Sequence, residues 1–114
     1  KRVMIIDFEH MEEKKVENFK GGSGVLSMRA FDDGRAKIML LTLAPGAQVG
    51  AHAHEGDCEI VYVLSGTGKA MYEGGYETLT PGTCHYCPEG KRHCVINDSD
   101  GELTFFAVVP SFKK

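Results

Sequence analysis

Short apolar runs, punctuated by glycine, proline, aspartate and asparagine, extend along nearly the whole chain. Residues 25–31, 37–43, 60–64, 69–72, 83–87 and 103–109 are rich in β-branched, aromatic and aliphatic side chains and predict strands. Turn-forming clusters separate them: Asp32-Asp33-Gly34, Ala44-Pro45-Gly46, Ser65-Gly66, Gly74-Gly75, Pro81-Gly82, Pro88-Glu89-Gly90 and residues 97–101. The turns recur about every ten residues, the rhythm of an antiparallel sandwich or barrel. Asp32-Asp33-Gly34-Arg35 and Glu73-Gly74-Gly75-Tyr76 each predict a tight hairpin. In Ile60-Val61-Tyr62-Val63-Leu64 both faces of the strand are apolar, so one lines an interior and the other meets a second sheet or a partner subunit. A short helical turn is expected within residues 10–18, where Met11, Lys14, Lys15 and Val16 make a weak amphipathic pattern. The expectation is an all-β domain, residues 25–114, preceded by an amino-terminal arm, residues 1–24.

Composition narrows the class. The 114 residues suffice for one packed core and are too few for two. The hydrophobic share of 42% and the charged share of 25% are ordinary for a soluble globular chain. The net charge is −3, and basic residues come in scattered pairs such as Lys14-Lys15 and Lys91-Arg92. No basic patch faces a phosphate backbone, so nucleic acid is not an expected partner. Nor is a membrane: no apolar run nears the roughly 20 residues that span a bilayer. The opening residues lack the apolar core of a signal peptide, and a cytoplasmic location is expected.

Four cysteines, Cys58, Cys84, Cys87 and Cys94, cluster in the second half instead of stapling the chain, and are expected as thiols. Cys84-x-x-Cys87 has no second pair to complete a zinc site. On a strand its two side chains face opposite ways, so both are read as small apolar residues.

The candidate chemistry starts at His52-Ala53-His54. Two histidines two residues apart on an extended strand share a face, so both rings reach one point. Glu59 lies five residues on, past the turn Glu55-Gly56-Asp57, and approaches that point from the next strand. His93 supplies a third imidazole. Three nitrogens and one carboxylate oxygen suit one divalent transition-metal ion. Glu59 shares its face with Val61 and Val63, and a carboxylate on an apolar floor is costly unless paired or coordinated.

These residues sit in a longer pattern. Gly46-x5-His52-x-His54-x4-Glu59-x6-Gly66 is followed, fifteen residues on, by Gly82-x5-Pro88-x-Gly90-x2-His93-x3-Asn97. The two blocks resemble the paired motifs of the cupin superfamily at all ten defining positions. The resemblance implies a single-domain jelly-roll β-barrel, the double-stranded β-helix, whose metal ligands are His52, His54, Glu59 and His93. Pro88-x-Gly90 is expected to swing the strand that begins at His93 back toward the axis. One departure stands out: Thr83 occupies a place where many cupins carry aspartate, with a local turn the expected casualty.

An octahedral ion such as iron, manganese or nickel would keep two positions open for water, oxygen or a chelating substrate. Four-coordinate zinc would use all four side chains and keep none. Members of the superfamily include dioxygenases, isomerases, lyases, binding modules and storage proteins, so fold alone does not choose. The favoured expectation is a metal-dependent enzyme of dioxygenase or isomerase/lyase type, acting on a small oxygen-rich or carboxylate-containing molecule. The alternatives are a binding or sensor module anchored by the metal, and a purely structural ion. His85 and Tyr72 are candidates for an acid, base or pocket donor, and Arg29 and Lys37 for carboxylate-binding residues at the mouth. Cys58 and Cys94 flank ligands, so their side chains point away from the metal and are expected to approach each other outside. Apolar outer faces favour a homodimer.

Overall fold

The computed structural model describes residues 5–113. Ten strands follow one another: β1 (Lys14–Glu17), β2 (Val25–Asp32), β3 (Ala36–Leu43), β4 (Gln48–Ala53), β5 (Glu59–Ser65), β6 (Gly68–Tyr72), β7 (Gly75–Leu79), β8 (Cys84–Cys87), β9 (Arg92–Ile96) and β10 (Leu103–Pro110). They form two antiparallel sheets, one ordered β1-β2-β3-β10-β5-β8 and the other β4-β9-β6-β7. Among the described residues helical structure is limited to two 3-10 turns, Phe8–His10 and Phe19–Gly21. The expected jelly roll is present.

Alternation decides what faces inward. In β10, Leu103, Phe105, Ala107 and Val109 are buried, while Thr104, Phe106 and Val108 lie half-buried on the opposite face. Met39, Leu41 and Leu43 of β3 and Val61 and Val63 of β5 join the same interior, with Ala70, Leu79 and Val95 from the other sheet. At roughly 1.5–3 kcal/mol for each large side chain taken from water, this interior is the main force joining the two sheets.

The hairpin at Asp32-Asp33-Gly34-Arg35 forms as expected, with Asp33 Oδ1 accepting from the backbone N–H groups of Arg35 and Ala36. The second hairpin turns one residue earlier than expected: Tyr72 pairs with Gly75, and Glu73 takes φ 51° in the two-residue turn. Gly66 has φ 84°, and a Cβ there would lie 2.1 Å from the carbonyl oxygen of Glu102, so only glycine fits this motif position. Asn97, the last motif residue, is buried; its Nδ2 donates to the carbonyls of Leu43, Ala44 and Gly101. It pins the end of β9 to the turn after β3.

The helical turn expected in residues 10–18 is not there. Residues 14–17 instead extend the larger sheet as β1, with Val16 opposite Leu26. The unsatisfied edge of β2 offers a ladder of backbone hydrogen bonds, and that outweighs a weak amphipathic pattern too short to hold a helix.

Candidate metal centre

A bulge places the first two histidines. Val49 of β4 pairs with Val95 of β9, and His52 pairs with His93, so β4 spends three residues where β9 spends two. The extra residue resets the alternation, and both Val49 and His52 face the interior. His54 follows just past the strand. Its backbone N–H donates to the carbonyl of Lys91, and its carbonyl accepts from Gly90 at 2.7 Å. The Pro88–Lys91 turn of the second motif is thus bonded to the first.

His52, His54, Glu59 and His93 each aim one donor atom at a common point, and these atoms lie within 4.8 Å of one another. Glu59 Oε1 stands 2.9 Å from His93 Nε2, 3.0 Å from His54 Nε2 and 3.8 Å from His52 Nε2. His52 and His93 come from one sheet and Glu59 from the other, with His54 just past the end of β4.

The far side of each ring is held too. His52 Nδ1 donates to the Gly50 carbonyl at 2.8 Å, and His54 Nδ1 to Asp57 Oδ1 at 2.8 Å. His93 Nδ1 lies 2.9 Å from Nε2 of His85, whose own Nδ1 donates to Glu77 Oε1 at 2.8 Å. In the neutral rings this pattern puts every proton on Nδ1 and leaves a bare Nε2 lone pair for the centre, the arrangement metal-binding histidines adopt. The donor set therefore fits a divalent cation; among the described residues it is the one such cluster.

Charge follows from the same contacts. Where no cation is held and Nε2 of the rings carries a proton instead, burial alone would push the Glu59 carboxyl up, but hydrogen bonds from His52, His54 and His93 outweigh it and hold the group well below the usual carboxylate range. The Glu59 carboxylate, aided by Asp57, raises His54 against the opposing effect of burial. Burial dominates at His93 and pulls it down. A carboxylate kept ionised among imidazoles is ready for a cation.

A cavity of about 140 Å³ opens beside His52, His54 and Glu59. Its walls are core side chains, among them Met39, Leu41, Phe105 and Val109, and Lys20 and Lys37 stand at its rim. Lys37 thus occupies the mouth, as expected. Arg29 does not: Leu26 on its strand faces the core, so Arg29 points to the outer face of the larger sheet, with Nη2 4.0 Å from Glu13.

His85 is buried behind His93, and Tyr72 packs edge-on against it with ring centres 6.0 Å apart. Neither lines the cavity. Cys84 is exposed and Cys87 buried, on opposite faces as a strand requires. Desolvation pushes the Cys87 thiol up to about 11, so it stays protonated, whereas a metal ligand must be thiolate. Cys58 and Cys94 do not form an outer pair: Cys58 precedes β5 in the larger sheet, while Cys94 sits opposite Met71 in the smaller one. Sequence reasoning passed over three supports, Gly50, Asp57 and Glu77. Asp57 carries a local signal, an acid three residues after His54; Glu77 carries none, because its strand reaches the site only through the fold.

Comparison with known proteins adds relatives. The model of the Cupin domain family matches residues 39–109. The oxalate-binding protein of Thermotoga maritima is 29% identical over 112 residues, covering 93% of both chains. The crystal structure of a predicted oxalate decarboxylase from Thermotoga maritima superposes with a TM-score of 0.89 at 27% identity, over 95% of this chain and 99% of that one. A sugar phosphate isomerase from Silicibacter pomeroyi shares the fold alone, with a TM-score of 0.77 at 24% identity over 94% of this chain and 75% of that one.

Proposed function

The chain belongs to the cupin family, and from that premise we propose that it binds one divalent transition-metal ion through His52, His54, Glu59 and His93 and uses the ion to anchor a small carboxylate ligand of the oxalate kind. The observation that carries this reading is the cavity: three of the ligand residues, His52, His54 and Glu59, line a partly open space with Lys20 and Lys37 also on its lining. A divalent ion held by these residues would border the cavity and would supply a Lewis-acidic anchor for a carboxylate oxygen there. Lys20 and Lys37 draw an anion toward the entrance. The oxalate-binding protein of Thermotoga maritima supports the ligand class. Iron, manganese and nickel, which keep open positions beside four protein ligands, are favoured over zinc.

Turnover is the second reading, favoured by the Lys37 side chain, a hydrogen-bond donor on the cavity lining that is not a ligand. The ion would supply Lewis acidity toward a coordinated carboxylate, and the chain would orient and desolvate it. A homodimer completes the proposal. Ile60, Tyr62, Leu64, Tyr86, Phe106 and Val108 make an apolar outer face on the larger sheet, and a second copy would cover it.

Metal-free protein loaded in turn with Fe(II), Mn(II), Ni(II) and Zn(II) should retain one equivalent, and His52→Ala and His93→Ala should retain none. Calorimetry should then show oxalate binding to the loaded protein and no heat with the metal-free form. Metal retained by both histidine variants, or equal oxalate binding without metal, overturns the reading. Release of carbon dioxide or uptake of oxygen would establish catalysis.

A further inference from the structure

We infer that the natural ligand is not oxalate itself but a 2-oxo or 2-hydroxy monocarboxylate carrying a compact apolar group, a conclusion that rests on the metal-anchored carboxylate reading above. The cavity is too large and too apolar for a bare dianion. Its volume, about 140 Å³, is close to that of an engineered cavity of about 150 Å³ that stays dry and binds benzene. One part of the lining matches in chemistry too: Met39, Leu41, Val49, Val95, Phe105 and Val109, all drawn from the barrel core, offer no hydrogen-bond donor. The polar lining lies with the ligands, where Asp57 sits beside His54, and at the entrance with Lys20 and Lys37.

Chelation geometry then selects the ligand. A carboxylate with an adjacent oxo or hydroxyl oxygen fills two neighbouring positions on the ion, as oxalate does with one oxygen from each end. What remains differs. Oxalate would turn two further anionic oxygens toward the apolar wall, where nothing solvates them. A 2-oxo acid places its third substituent there, and an apolar substituent gains from leaving water.

The charge balance points the same way. A divalent ion held by one carboxylate ligand and three neutral imidazoles would leave one net positive charge in the pocket, which a monoanion neutralises and a dianion reverses. Lys20 and Lys37 do not offset that reversal inside. Both are exposed and stand at the rim, placed to attract an anion and not to hold its inner end.

The test is an affinity series on unmodified protein loaded with Mn(II), titrated with oxalate, glyoxylate, pyruvate, 2-oxoisovalerate and phenylglyoxylate. Affinity should rise along the 2-oxo acids, by at least about tenfold from glyoxylate to 2-oxoisovalerate, with oxalate weaker than the best of them. Val109→Phe, which narrows the cavity beside Lys37, should erase most of that gain, read as the ratio of 2-oxoisovalerate to glyoxylate affinity. A flat series, or oxalate as the tightest ligand, overturns the inference and leaves the carboxylate reading standing. Metal retention with no binding of any of the five acids removes both.

Discussion

The imidazoles around Glu59 are pulled in opposite directions, and this sets how the metal-free protein responds to pH. His54 is raised above its ordinary 6.5, so its stabilisation is complete below pH 6.5 and fades as pH climbs through the raised value. His93 is lowered from 6.5, so stability is lost as pH falls from there through its depressed value. Glu59, held well below 4.5, adds a further loss only as the solution turns more acid than that. Melting in the presence of a chelator should therefore peak near pH 6.5 and decline on both sides. Glu59→Gln should flatten the alkaline side, because the carboxylate is the main cause of the rise at His54. Glu77 tests the outer support: with Glu77→Ala, His85 loses the acceptor that orients it, and metal affinity should fall about 10–100-fold. Glu77→Gln keeps an oxygen acceptor and should retain most of that affinity; competition with a metal-sensitive dye would measure both. The four donors were legible in the sequence because their spacing is local within each motif. Glu77 was not, since its link to the site is a side-chain chain, through His85 to His93, across two sheets.

At the scale of elements, the segment before β2 shows how contacts override pattern. The turn Phe19–Gly21 lies against β4, and a Cβ on Gly50 would fall 2.0 Å from the Lys20 carbonyl. Gly50→Ala should destabilise the protein by about 1–3 kcal/mol, read from urea unfolding, since backbone and not a yielding side chain stands in the way. It should also weaken metal binding, because the Gly50 carbonyl holds His52. All six strands expected from apolar runs are present. The apolar runs do not reach β1, β4, β7 and β9, whose sequences carry charge, glycine or histidine where a strand pattern expects apolar residues; β4 and β9 are signalled instead by the histidine motifs and β7 by the glycine turn before it. Their pairing comes from neighbours: β7 is held by β6 through the turn at Glu73, and β9 by the strands on either side.

For the whole molecule, the two sheets differ in their outer surfaces. The larger one presents Tyr62, Leu64 and Tyr86 to solvent along β5 and β8, beside half-buried Ile60 and Phe106. Sedimentation of the unmodified protein should give a dimer, and Tyr62→Glu with Leu64→Glu should give a monomer that still retains one equivalent of metal. A monomeric unmodified protein would leave that face for something other than a second copy. The seam between the sheets matters equally. Glu77 of β7, His85 of β8 and His93 of β9 form a hydrogen-bonded chain where the two free edges approach, and Glu59 meets the histidines across the same interior.

The single surplus residue between Val49 and His52 has a consequence of another sort. Strand geometry counts in twos, so the site depends on the parity of a three-residue interval. Loss of one codon there would make the interval even, giving an unbroken ladder with His52 still inward and opposite His93. With all three residues kept, the inward orientation lasts only as long as the bulge does: straightening it would slide β4 by one residue along β9 and turn His52 and His54 outward, so the barrel could keep its shape while the metal site was lost.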